Sequence, residues 1–142
     1  MGRSARIRVS PTGEVEALEY VGGIVYVIKI FSDTQTVTTG DGKFTFAIDE
    51  DVNGKILSKV EIYVTTVSSS GIVQVQIRKG ASTDMLSTRV QIDANEKHSK
   101  DASTVYVINT ANDDVVWGNE ISIDVDAAGT GAKGLGVSLT FS

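Results

Sequence analysis

Three stretches of this chain carry residue types at spacings that can do chemistry. Gly129-Thr130-Gly131-Ala132-Lys133-Gly134 satisfies G-x-G-x-x-G, the pattern that lets a backbone wrap a dinucleotide pyrophosphate. That chemistry needs a helix to begin at the loop, because helix N-terminal N–H groups hold the phosphates. Here Leu135, Val137, Leu139 and Phe141 alternate with Gly136, Ser138 and Thr140, so a strand follows instead. The glycines therefore read as a loop between two strands.

Asp49-Glu50-Asp51-Val52-Asn53-Gly54 repeats the opening D-x-D-x-N-G of an EF-hand calcium loop, with oxygen donors at positions one, three and five. The twelfth position, which should be a bidentate Glu, is Val60, and Glu61 comes one residue late. An EF-hand is excluded. An acidic turn is the favoured reading, with a weak calcium site over Asp49–Asn53 as the alternative.

Asn112-Asp113-Asp114 and Asp124-Val125-Asp126 supply carboxylates of the kind that hydrolyse glycosides when two of them face each other. On an alternating strand Asp124 and Asp126 share the polar face opposite Ile123 and Val125, which is also what a solvated sheet face looks like. Four Phe, four Tyr and one Trp, scattered over separate strands, assemble no aromatic-lined cleft. His98 is the single histidine and there is no cysteine, so a zinc site or a Ser-His-Asp triad lacks its parts; His98 reads as an exposed loop residue. Trp117 is either a core plug or an aromatic platform for a sugar or a partner protein. The core is favoured, because a ring of this size usually buries most of its area. No catalytic, cofactor or metal set emerges, and the chain reads as a non-enzyme.

The elements that would position these residues are almost all strands. Val, Ile and Thr dominate, side chains that pack well on a pleated surface and lose rotamer freedom in a helix. Strand patterns run over Thr34–Thr38, Lys43–Ile48, Ile56–Val67, Ile72–Lys79, Thr88–Ile92, Thr104–Ile108, Glu120–Val125 and the C-terminal segment. In Ile72–Lys79, Val73, Val75 and Ile77 alternate with Gln74, Gln76 and Arg78, predicting one wet face. Asp84-Met85-Leu86-Ser87 reads as one helical turn. Turn signals every 8 to 14 residues are the spacing of an antiparallel β-sandwich, jelly-roll-like in character. Residues 34–142 form that sandwich. Residues 1–33, with strand patterns at Arg6–Val9, Val15–Tyr20 and Ile24–Phe31 and turn chemistry at Ser10-Pro11-Thr12-Gly13, form an N-terminal arm and hairpin.

At 142 residues the chain suits one domain with a real core. A net charge of −5 argues against nucleic-acid binding, which needs a basic stripe to displace counterions. The one basic cluster, Arg3, Arg6 and Arg8, suits an arm that docks on an acidic partner surface, or else is a solvated terminus. No apolar run approaches a membrane span, and the arginines lead into no signal-peptide core. Synthesis in a cytoplasm is expected.

Several segments together resemble small structural proteins of tailed bacteriophage virions. They are Val37-Thr38-Thr39-Gly40-Asp41-Gly42-Lys43-Phe44, Asp84-Met85-Leu86-Ser87-Thr88-Arg89-Val90-Gln91-Ile92-Asp93, Ile108-Asn109-Thr110-Ala111-Asn112-Asp113-Asp114-Val115, and Ile121 to Leu135. The resemblance covers about Thr34 to Phe141. It implies a jelly-roll-like sandwich that assembles as a homotrimer within the virion, as a capsid decoration (cement) protein or as part of a tail fibre or receptor-binding tip. With no long shaft or collagen-like repeat in the chain, decoration is the expectation. It implies as partner the major capsid protein or another virion protein; the basic cluster Arg3, Arg6 and Arg8 supplies the expected contacts to the shell, and Trp117 is a further candidate partner contact. The alternative is a tail module that binds a host-surface glycan or protein through Asn95–Ser103 and Asp113–Asn119, Trp117 stacking on the sugar.

Overall fold

A computed structural model describes residues 23–142 in full and, ahead of them, the backbone of two strands at 5–9 and 15–20. In chain order the strands are β1 (Ala5–Val9), β2 (Val15–Tyr20), β3 (Ile24–Lys29), β4 (Gly40–Ala47), β5 (Leu57–Tyr63), β6 (Val73–Lys79), β7 (Thr83–Asp84), β8 (Leu86–Thr88), β9 (Val90–Ile92), β10 (Val107–Ile108), β11 (Glu120–Ala128) and β12 (Gly136–Phe141). The only helical pieces among the described residues are two single 3-10 turns, at Glu50–Val52 and Ser99–Asp101.

The strands build an antiparallel β-sandwich. One sheet has the order β3-β12-β5; the other runs β4-β11-β6, with β9 beside the first half of β6 and β7 beside its second half. The chain alternates between sheets from β3 to β6, and its last two long strands return beside the first two: β11 pairs with β4 and β12 with β3. Alternation is what makes this possible. Val137, Leu139 and Phe141 of β12 and Ile121, Ile123 and Val125 of β11 turn into one shared core with Leu57, Val60, Ile62, Val73, Val75 and Ile77. Each side chain so buried is worth about 1.5–3 kcal/mol relative to leaving it in water.

The glycine-rich loop links β11 to β12, one sheet to the other, as its turn chemistry predicts. Gly134 takes a φ of +71°, and a Cβ there would run into Thr65 Oγ1 and Asp33 Cα, a close approach only glycine allows. Ser68, buried across from Gly129, ties the loop down: its hydroxyl accepts from the Thr130 N–H at 2.9 Å and reaches the carbonyls of Ser70 and Gly71 at 2.7 and 2.8 Å.

Four local expectations are corrected by tertiary contacts. Thr34–Thr38 is no strand: it begins in a turn, and only Val37 enters the core, its N–H bonded to the Ala132 carbonyl at 2.9 Å. Asp84–Ser87 is no helical turn but the junction of β7 and β8, because Met85 and Leu86 are both buried and the Met85 N–H bonds across to Ile77 at 2.8 Å. The supposedly wet face of β6 and β11 is covered at its middle, leaving Gln76 at 2% and Asp124 at 1% exposure while Asp126 stays exposed. Ile24–Lys29, grouped by sequence with the N-terminal unit, pairs along its whole length with β12 and so belongs to the sandwich.

Candidate functional site

Trp117 lies not in the core but on the surface, 63% exposed. Two segments hold it there. Residues 53–57 run antiparallel to 113–117: Leu57 N–H bonds to the Asp113 carbonyl at 2.8 Å, Val115 N–H to Lys55 at 3.0 Å, and Gly54 N–H to Val115 at 2.9 Å. The Trp117 N–H is taken by Asn53 Oδ1 at 2.8 Å and the Val116 N–H by Asn119 Oδ1 at 2.8 Å, while Gly118 N–H reaches back to Ile48 at 2.9 Å. With Val115 pointed inward as the anchor, Val116 and Trp117 are forced outward, at 50% and 63% exposure. Such a loop has its backbone fixed before any partner arrives, which lowers the ordering cost of docking.

The acidic turn has a structural use here. Asp49 caps the 3-10 turn by accepting from the Glu50 N–H at 2.7 Å, and Asn53 spends its carbonyl oxygen on Trp117. Among the described residues no three His, Cys, Asp or Glu side chains converge on a point that would hold a metal ion.

Asp124 and Asp126 are divided between separate arginines. Asp124 Oδ1 accepts from the Gly42 N–H at 2.7 Å, and its Oδ2 sits 3.1 Å from Arg78 Nε. The Nε–H itself is directed at Asp84 Oδ1, 3.0 Å away, so Oδ2 is held by charge and not by an aligned hydrogen bond. The Asp124 carboxylate, helped by Asp84, in turn raises the Arg78 pKa above its usual value. Asp126 pairs with Arg89 at 2.5 Å. The arrangement neutralises charge inside a sheet, and it leaves neither carboxylate free for acid–base work.

His98 is half-buried and structural: its Nδ1 accepts from the Lys100 N–H at 2.9 Å, capping the 3-10 turn at Ser99–Asp101. It borders a shallow hollow of about 220 Å³ on the outer face of the β3-β12-β5 sheet, lined by Val27, Lys29, Glu61, Tyr63, His98 and Ser138 among others. Sheet register explains it. Gly136 lies between Lys29 and Tyr63, and Ser138 between Val27 and Glu61, so small residues form a floor between two taller walls. Sequence reasoning missed this hollow because it depends on which strands are neighbours.

Of the N-terminal arginines, Arg3 lies outside the described residues. Arg6 and Arg8 fall on β1, where the register with β2 sets them opposite Glu19 and Ala17. Nothing among the described residues brings Trp117 and these arginines into one site.

Comparison with protein-family models, with curated proteins and with solved structures finds no match to this chain.

Proposed function

We propose that this chain is a non-enzymatic structural subunit of a bacteriophage virion that decorates the assembled capsid. The observation that carries the reading is the presentation of Val116 and Trp117 on a backbone-pinned loop at one end of a stiff sandwich. Tryptophan is the residue type that most often anchors protein interfaces, and a preformed loop makes it an inexpensive one to bind. The return of β11 beside β4 and β12 beside β3 is the nested wrapping of a jelly roll, which agrees with the virion resemblance. A protein that binds only the assembled shell stabilises it by its binding free energy, and several linked contacts multiply the effect. Trp117 supplies one such contact to the major capsid protein; Arg3, Arg6 and Arg8 supply the basic arm.

The test is co-sedimentation with expanded heads of the cognate phage. Trp117→Ala is expected to weaken binding at least tenfold, a loss of ~1.4 kcal/mol or more. Removal of residues 1–10 is expected to weaken it separately. Unchanged binding by both variants would sink the proposal.

A second reading rests on the same ring: Trp117 as a stacking surface for a host glycan in a tail-tip module. Its mark would be specific adsorption of the isolated protein to host cells, lost in Trp117→Ala, with no affinity for heads.

A further inference from the structure

The two edges of the β3-β12-β5 sheet are treated in opposite ways. On β5 the outward N–H groups are each given a partner that is not a strand: Val60 donates to Tyr106 OH at 3.1 Å, Ile62 to Ser99 Oγ at 3.0 Å and Val64 to the Lys97 carbonyl at 2.9 Å. That edge is plugged. On β3 the register is marked by Ile30, whose N–H bonds to Leu135 O at 3.0 Å, so that even-numbered residues bond to β12 and Val25 and Val27 turn their backbone groups away from it. Among the described residues nothing pairs with those groups, and the side chains of Val25 and Val27 are 42% and 82% exposed. Proteins usually protect a sheet edge with charge, proline or a bulge. Between Ile24 and Ile28 this one carries none.

The sequence of that edge reads the same in both directions: Ile24-Val25-Tyr26-Val27-Ile28. We infer that β3 is a self-complementary interface, and that two copies of this chain associate by antiparallel pairing of β3 with β3 about a two-fold axis at Tyr26. In an antiparallel ladder opposite residues share a face. Centring on Tyr26 sets Val25 against Val27 of the second copy on the outer face, and Ile24 against Ile28 and Tyr26 against Tyr26 on the inner one. The outward backbone groups of Val25 and Val27 then form the bonded pairs, about four hydrogen bonds in all. Sliding by one residue sets inner against outer side chains, and sliding by two sets Val25 against Lys29 in one direction and Val27 against Gly23 in the other, so the palindrome selects a register as well as a partner. The product is one continuous six-strand sheet, β5-β12-β3 running into its copy. A two-fold contact of this kind is closed, which limits growth to a dimer. β1 and β2, the other strands near in sequence, pair with each other.

Light scattering on the full chain tests this directly. A particle of twice the 15.1 kDa chain mass is expected. Val27→Lys should convert it to a monomer. Val27→Pro should do the same with the fold kept, since proline on an edge strand removes only the outward N–H; circular dichroism and melting confirm that each variant is folded. Deleting residues 1–22 should leave the dimer intact. Amide exchange at Val25 and Val27 should be slow in the full chain and fast in Val27→Lys. A monomeric full chain overturns the inference, as does a trimer, the assembly the virion resemblance implies. A dimer that survives both Val27 variants or dissolves on deletion of residues 1–22 also overturns it.

Discussion

The side-chain amide of Gln76 pairs with both backbone groups of Leu86: Nε2 donates to the Leu86 carbonyl at 3.0 Å and Oε1 accepts from the Leu86 N–H at 3.1 Å. Oε1 also takes the Ile77 N–H at 3.0 Å. A buried side chain thus replaces a peptide unit in the ladder at the point where β7 gives way to β8, and lets Met85 and Leu86 both enter the core.

Gln76→Leu keeps the volume and strands three backbone groups away from water, the N–H and carbonyl of Leu86 and the N–H of Ile77. A buried unsatisfied polar group costs about 1–3 kcal/mol, so a loss of that order per stranded group is expected in urea unfolding. Gln76→Glu replaces the Nε2 donor by an oxygen facing the Leu86 carbonyl and should be worse at pH 7 than at pH 4. Equal stability of wild type and Gln76→Leu would show that the bridge contributes nothing.

Asp124 and Asp126 stand two residues apart on one strand yet should respond differently to loss of charge. Asp124 is enclosed, bonded to Gly42 and paired with Arg78, while Asp126 reaches solvent and faces Arg89. Removing Asp124 strands the Gly42 N–H and takes from Arg78 the enclosed one of its two carboxylate partners, leaving Asp84; an exposed pair contributes little. Asp124→Ala is therefore expected to lower the melting temperature clearly, and Asp126→Ala hardly at all. The reverse order would contradict the burial assigned to Asp124.

Acid should destabilise the protein through Asp93 and Asp114. Asp93 is held below the usual carboxylate pKa by a hydrogen bond from Gln91 and then by the Ser103 N–H; Asp114 is held below it by the Lys79 ammonium. A depressed folded pKa means that the unfolded chain binds more protons at acid pH, so stability rises with pH there. The contribution is complete above the unfolded value near pH 4 and is lost as pH falls through the lower folded values. Melting curves between pH 2.5 and 6 should show this slope, and Asp93→Asn should flatten it. A slope unaltered by that substitution would rule Asp93 out as a source.

Two glycines of one loop should differ in their tolerance of a methyl group. Gly131 and Gly134 both have positive φ, +75° and +71°, but a Cβ on Gly131 meets open space and one on Gly134 meets Thr65 and the backbone of Asp33. Gly131→Ala should cost only the left-handed strain, about 1–2 kcal/mol. Gly134→Ala should cost distinctly more, since the contact between Lys133–Gly134 and the Thr65–Thr66 segment must open. Equal losses on denaturant titration would mean that Thr65 yields freely.

Much of the fold was legible because strand alternation is a local property. The two-residue periods of β5, β6, β11 and β12 and the turn chemistry of the glycine-rich loop follow from side-chain type and φ preference, and the antiparallel sandwich follows from their number and spacing. Candidate chemistry was less legible. D-x-D-x-N-G is the same string whether its oxygens bind a cation or cap backbone N–H groups, and the capping of the Glu50 and Trp117 N–H groups by Asp49 and Asn53 is visible only in the tertiary structure.

The chain by itself determined that it would be all sheet, where its glycine-rich loop would turn, and that it holds one histidine and no cysteine from which to build a zinc site, since these rest on residue type and near-neighbour spacing. The tertiary structure alone decided that Trp117 faces water, that Gln76 and Asp124 do not, and that β3 is, among the described residues, an edge beside β12. Each of those depends on contacts between residues far apart in sequence, such as Gln76 with Leu86, Asn53 with Trp117 and Ile28 with Val137, and pairing at that distance leaves no trace in a local pattern.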